Sequence, residues 1–174
     1  HGKTTLLRAV SRLLPARSGD VAFDGVALRG KPADAVVELG LIHIPQGDLL
    51  FPEMTVHENL LMGAYRSKAW RHRQERLGHV HAVFPRLAER RKQLARTLSG
   101  GERRMLAIGH GLMSDAKLLM IDEPSLGLAP VVIDELYDRI AEIKASGKAI
   151  LLVEESAARV ASLADRLYLL ENGA

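Results

Sequence analysis

The sequence predicts an α/β domain, a mainly parallel sheet flanked by helices with a helical subdomain inserted into it. Three observations carry this. Short continuous apolar runs, "LGLIHIP", "AKLLMID" and "KAILLVEE", read as buried strands. Segments of helical period separate them, the alternation of a parallel sheet covered on both faces. The stretch from about 52 to 97 reads as nearly all helix, set between one strand and the next. The expected division of this single 174-residue domain is a core of about 1–51 and 115–174 around a helical subdomain of about 52–114.

The first helix is predicted over about 4–14, because Leu6, Leu7, Val10, Leu13 and Leu14 recur at helical spacing with Pro15 behind them. "GDVAFDGVAL" alternates around Asp24-Gly25, a two-residue hairpin signal. "LGLIHIP" is a strand ended by Pro45. In "TVHENLLMGAY", Thr55 stands three before Glu58, a capping box opening an amphipathic helix. "RSKAWRHRQERLGHVHAVF" continues as helix, rich in arginine and histidine, and "LSGGERRMLAIGHGLM" is a glycine-led helix. "AKLLMID" has the continuous apolar character of a central parallel strand and ends in acid. "PVVIDELYDRIAEIKASG" is a long helix closed by Gly147, and "KAILLVEE" repeats the buried-strand pattern. A helix over 156–164 and the strand "RLYLLENG" complete the reading.

Composition narrows the chemistry. With 47% hydrophobic residues and 4% aromatic, the core is aliphatic. A formal net charge of +3, with acids and bases interspersed, gives no argument for nucleic acid. There is no cysteine, which excludes thiol catalysis, disulfides and cysteine-ligated zinc. The seven histidines include no H-E-x-x-H and read as surface or packing residues. No apolar run approaches the length of a membrane span.

Three motifs carry chemistry. "HGKTTLLRAV" resembles the end of a phosphate-binding loop, G-x-x-x-x-G-K-[ST], running into its helix. Alone, Gly2-Lys3-Thr4 reads better as a surface turn before a helix. "LLMIDEP" places Asp122 and Glu123 at the carboxyl end of a parallel strand, where α/β folds bind ligands. Asp122 suits a magnesium ion and Glu123 the proton of an attacking water, against the plain reading of a solvated strand end. In "LSGGERRMLAIGHGL", Ser99 and Glu102 satisfy a helix-start pattern. The two glycines between them add nothing to capping and leave bare N–H groups that favour an anion.

Together these stretches resemble the ATP-binding-cassette (ABC) ATPases, a P-loop NTPase-type fold. "LSGGE" is similar to the family's signature, Gln46 in "IPQ" to its glutamine loop, and "SLGL" after Asp122-Glu123-Pro124 to its D-loop. The order agrees from the lysine loop to the last strand. "LFPEMTVHENLLMGAY", "LAIGHGLM", "IDEPSLGLAPVVI" and "YLLENG" further resemble the ATPase subunits of branched-chain amino-acid importers. Soluble ABC ATPases of DNA repair or translation, and exporter-type subunits, are the rival readings. The compact stretch from Gln46 to Leu98 favours the transporter type.

The resemblance implies ATP and Mg2+ as cofactors. Gly2, Lys3, Thr4 and Thr5 would cradle the β- and γ-phosphates, and Thr4, Gln46 and Asp122 would serve magnesium. Glu123 would be the general base, with Gln46 reporting to the permease. Ser99, Gly100, Gly101 and Glu102 would reach the γ-phosphate held by a second ATPase subunit. Implied partners are that subunit, in a homo- or heterodimer, and transmembrane permease subunits. Nucleic acid is not expected. The implied location is peripheral, on the cytoplasmic face of the inner membrane, touching the membrane only through the permease. The basic stretch from Arg66 to Arg76 reads as a solvated face or, more sharply, as a contact for a transporter loop or lipid headgroups, with Trp70 as an interface anchor. Arg103 and Arg104 are expected to face solvent beside the nucleotide. Three departures stand out. The strands expected ahead of the phosphate loop, with their adenine-stacking aromatic, are absent, and the family's C-terminal elements are missing. The chain thus reads as truncated at both ends, and as it stands is expected to bind ATP weakly or not at all. The switch position, often histidine, is Glu155, which brings negative charge toward phosphate.

Overall fold

The computed structural model describes residues 2–171. Its centre is a three-stranded parallel sheet. A hairpin of β1 (Ala22–Phe23) and β2 (Val26–Ala27) stands apart from it; β3 (Leu41–Ile44), β4 (Leu118–Asp122) and β5 (Ala149–Val153) form the sheet in that order, β4 in the middle. The hairpin turns on Asp24 and Gly25, both with positive φ (51° and 75°), the geometry that Asp-Gly favours.

Side chains along β4 alternate between two cores. Met120 faces one that contains Leu7 of helix α1 (Lys3–Val10), Leu28, Val36 of helix α2 (Ala33–Glu38), Leu41 and Val153. Leu119 and Ile121 face the larger core, built with α3 (Val56–Gly63), α5 (Arg73–Val83), α6 (Pro85–Glu89), α7 (Gly100–Met113) and α8 (Pro130–Ala145). Short α4 (Ser67–Arg71) precedes α5, and a 3-10 turn over Ala95–Thr97 leads to α7. The helices between β3 and β4 therefore share one hydrophobic core with the sheet. Helices α3 and α7 cross so closely that a Cβ on Gly63 would collide with the His110 carbonyl. The buried Asn59 side chain binds the N–H and C=O of Phe51 and the carbonyls of Met54 and Thr55, fixing the loop that enters α3.

Five expectations are corrected. The run "KAILLVEE", expected as a buried strand, forms β5 at the sheet edge, where Ala149 and Leu151 are exposed, Ile150 and Leu152 are half-buried and Val153 alone is buried. The first helix stops at Val10, not 14: Arg12 takes a left-handed φ of 63°, and the Leu13 and Arg12 N–H groups bond back to the Arg8 and Ala9 carbonyls, a Schellman closure made without glycine. The helix expected over 156–164 is a single turn, α9 (Ala157–Val160). Its one buried side chain is Val160, and Lys144 binds the Leu163 carbonyl and the Asp165 carboxylate, drawing the following chain onto α8. The expected strand at 166–173 does not form over its described part. Among the described residues no strand pairs with it, and Leu167, Tyr168 and Leu169 are exposed; positions 172 and 173 lie outside the described residues. The basic stretch is more than a solvated face: Arg66 pairs with Glu38, Lys68 and Arg76 with Asp115, and Arg73 stacks on Trp70 at 4.4 Å.

Candidate functional site

Parallel pairing delivers the candidate residues to one edge. Ile44 stands beside Ile121 and Asp122 beside Val153, so Gln46, Glu123 and Glu154-Glu155 all follow the carboxyl ends of adjacent strands. Helix α1 brings Lys3 to the same place, where its ammonium donates to the Glu154 carbonyl at 3.0 Å. Gly2 precedes it as a left-handed N-cap (φ 91°), a conformation glycine adopts without strain. Thr4 is half-buried and Thr5 exposed on the first turn of α1.

Asp122 is fully buried, and neither carboxylate oxygen has a partner among the described residues. A buried, unpaired carboxylate is costly, so the site is built for something the chain does not itself supply. Its charge is felt by His43, whose Nδ1 meets the Ser11 hydroxyl at 3.1 Å and whose titration burial pushes down. Magnesium fits here. Among the described residues there is no cluster of three or more His, Asp or Glu ligands, and magnesium needs none when substrate phosphates and water complete its shell.

Glu123 is held in a left-handed backbone (φ 45°), which costs a non-glycine residue about 1–3 kcal/mol. Its N–H extends the ladder to the Val153 carbonyl at 2.9 Å, and its C=O accepts from the Leu126 N–H at 3.3 Å. Burial first, then the Glu155 and Asp122 charges, raise its carboxyl above the ordinary range, with Lys3 opposing. A base poised upward from an ordinary carboxylate is what proton abstraction near neutral pH calls for. Glu155 itself is exposed. Glu154 turns inward and accepts from the Ser125 N–H at 3.1 Å, tying the loop after Glu123 to the end of β5.

The start of α7 is constructed differently. Ser99 and Glu102 complete a capping box, and the Glu102 carboxylate also pairs with Arg90 at 2.7 Å. That carboxylate is engaged within the chain, so what this helix start offers an anion is the Ser99 hydroxyl and main-chain N–H groups. The two glycines have separate reasons. A Cβ on Gly101 would collide with Val132 of α8, whereas one on Gly100 would meet only ordinary contact with Leu128, at 3.5 Å. The glycine pair thus serves helix packing at 101 and leaves 100 open.

Gln46 is exposed after Pro45, and the three residues that follow, Gly47, Asp48 and Leu49, all have positive φ (89°, 63° and 34°). Arg104 overturns its expectation: it is 5% exposed, its guanidinium reaching the Pro45 carbonyl (3.3 Å), Asp48 (3.2 Å) and the Glu123 carbonyl (3.5 Å). The sequence held a signal for this. Gly101, Arg104 and Ile108 share one helical face, and that face is buried. Lys3, Asp122, Glu123 and Glu154 are thus brought together, with Gln46 on the neighbouring strand end; the Ser99 hydroxyl instead accepts from the Glu102 N–H of its own helix.

The profile of the ABC transporter family matches residues 1–126. The chain belongs to that family. It is 42% identical over 172 residues to a high-affinity branched-chain amino acid transport ATP-binding protein of Pseudomonas aeruginosa, covering 99% of this chain and 73% of that protein. A probable branched-chain amino acid transport ATP-binding protein of Archaeoglobus fulgidus is 37% identical, with 99% and 73% covered. Among solved structures, the ADP conformation of an ATP-binding cassette of an ABC transporter superposes with a TM-score of 0.85 at 27% identity, covering 99% of this chain and 73% of the other. The molecule is an ABC-type ATPase.

Proposed function

We propose that the chain is the ATP-hydrolysing subunit of an importer for branched-chain amino acids, working as a dimer beneath transmembrane permease subunits at the cytoplasmic face of the inner membrane. The observation that carries the substrate class is the 42% identity to the Pseudomonas protein across nearly the whole chain. No helix of the described residues is long and apolar enough to cross a membrane, in keeping with a peripheral subunit whose membrane contact is made by its partners.

The geometry supports a division of labour. Lys3, already beside the β5 end, neutralises phosphate charge, while Gly2, Thr4 and Thr5 supply N–H groups at the start of α1. Asp122, with Thr4 and Gln46, would hold magnesium, which would supply positive charge to offset that of the phosphates. Glu123 orients water and accepts its proton. Gln46 lies between Pro45 and Asp48, which line a groove of about 450 Å³ together with Val37, Leu49, Met62 and Tyr65. Leu49 and Tyr65 are each 75% exposed, and a permease segment seated there would press directly on the glutamine loop. Ser99, Gly100, Gly101 and the Glu102 main chain face the second subunit's γ-phosphate.

The test is Glu123→Gln in the full-length subunit. Loss of a general base lowers turnover by about 10²–10⁴-fold. ATP binding persists, and gel filtration with ATP shows a dimer. Normal hydrolysis by this variant would reduce Glu123 to a strand-end acid. Uptake of labelled leucine, isoleucine and valine by cells lacking the gene tests the substrate class; unchanged uptake of all three overturns it.

A further inference from the structure

We propose that Arg104 is a positioning residue for hydrolysis, a guanidinium that locks the glutamine loop and the Glu123 backbone into one arrangement with helix α7. The proposal rests on the reading of Glu123 as the general base.

Arginine is among the residues least often fully buried, and here it lies at 5% exposure inside a helix that is buried nearly all round. If packing alone were at stake, an apolar side chain of similar volume would serve as well or better. What distinguishes Arg104 is where its donors go. One nitrogen donates to the Pro45 carbonyl at 3.3 Å and forms an ion pair, without a hydrogen bond, with the Asp48 carboxylate at 3.2 Å, on either side of Gln46. The other reaches the Glu123 carbonyl at 3.5 Å. A planar fork with fixed donor directions can serve acceptors on two strand ends at once, which a lysine ammonium on its flexible stem does less well.

Both loops that Arg104 grips are in conformations that need holding. Asp48 and Leu49 are left-handed without being glycine, and so is Glu123. Such backbones persist only where neighbours over-determine them. At Glu123 the ladder bond to Val153 fixes the N–H; the Leu126 N–H and Arg104 together fix the C=O. Arg103 adds a second, longer approach to Asp48 at 3.9 Å. Because Arg104 lies on the second turn of α7, a displacement of the Ser99 end is passed to Gln46 and to Glu123 through one side chain. Ligand engagement at the helix start would thereby align the base.

The experiment compares Arg104→Gln, Arg104→Lys and Asp48→Asn with the unaltered full-length subunit, measuring kcat, KM, nucleotide affinity and melting temperature. Misplacement of reacting groups by about 1 Å costs on the order of 10²-fold. Arg104→Gln is therefore expected to lower kcat by about 10–100-fold, with nucleotide affinity held within about threefold. Arg104→Lys recovers part of the loss. Asp48→Asn, which keeps the arginine on its carbonyls, shows a smaller fall of the same kind. In a Glu123→Gln background, Arg104→Gln adds little, since residues acting as one unit are non-additive. Unchanged kcat in Arg104→Gln, or an undiminished factor in the Glu123→Gln background, overturns the proposal. Should Arg104→Gln fail to fold, Asp48→Asn decides: lowered kcat at constant affinity supports positioning, and unchanged kcat overturns it. Normal hydrolysis by Glu123→Gln alone would instead fault the general-base reading.

Discussion

The carboxyl edge of the sheet and the start of α7 both carry motif residues, yet they are built on opposite principles. At the edge, Asp122 is buried with neither oxygen partnered among the described residues, and Glu123 is held left-handed beside other acids. At α7, Ser99 and Glu102 satisfy one another and Arg90 neutralises the glutamate. The first region holds a buried charge and a left-handed backbone that each cost free energy in the chain alone. The second is a self-sufficient helix start, capped within the chain and without backbone strain. Where groups are left unsatisfied, they are kept for reaction; where they are satisfied, they hold the frame that presents them.

Substitutions sharpen this contrast. The largest effect is expected for Asp122→Asn. Its MgATP hydrolysis should fall by more than the roughly 10–100-fold that loss of an outer-shell partner costs a metal site. Without nucleotide the same variant should melt higher, because an unpaired buried charge is removed, a gain of about 1 kcal/mol. Phosphate-release assays and thermal melts check both, and a lower melting temperature would show that Asp122 has a partner in solution. Ser99→Ala and Glu102→Ala should behave oppositely, each losing about 0.5–2 kcal/mol in urea titrations. Burial acts to raise the Glu102 carboxyl, but the Ser99 hydrogen bonds and Arg90 outweigh it and the net direction is down. The cap is therefore at full strength above the ordinary value of 4.5 and fades as pH falls through the lowered one. The smallest effect is expected for Glu155→Gln. Glu123 must be ionised to act as base, and its raised pKa moves the acid limb of the pH–rate profile upward. Removing the Glu155 charge should bring that limb down, visible as faster basal hydrolysis on the acid side; an unmoved limb would place Glu155 away from the reacting centre.

Much of this was legible in the sequence because it is local. The buried strands β3 and β4 follow from unbroken apolar runs, the hairpin from Asp24-Gly25, and both capping boxes from residues three apart; the same kind of apolar run placed β5 but not its half-exposed position at the sheet edge. What was not legible depends on partners distant in sequence. The α1 stop uses a left-handed arginine where glycine would have announced it. The apolar run at 167–170 has strand composition but no strand pairs with it among the described residues. Arg104 was misread because charge in a helix suggests solvent, although its spacing from Gly101 and Ile108 placed it inward; its acceptors, Pro45 and Glu123, lie 59 and 19 residues away. The unpaired state of Asp122 is visible only once both covering layers are in place.

The two-residue alternation of β4 has a consequence for how this gene tolerates change. Asp122 falls on the same parity as Met120, toward α1, and Ile121 on the opposite one. Removing one codon within 118–121 would reverse that parity for every residue before the acids or shift the acids themselves to the wrong side. Substitutions among Leu, Ile, Val and Met at these positions keep volume and facing and cost little. The strand should therefore accept many spelling changes while rejecting every in-frame deletion, and a deep mutational library should show that asymmetry most sharply at these few positions.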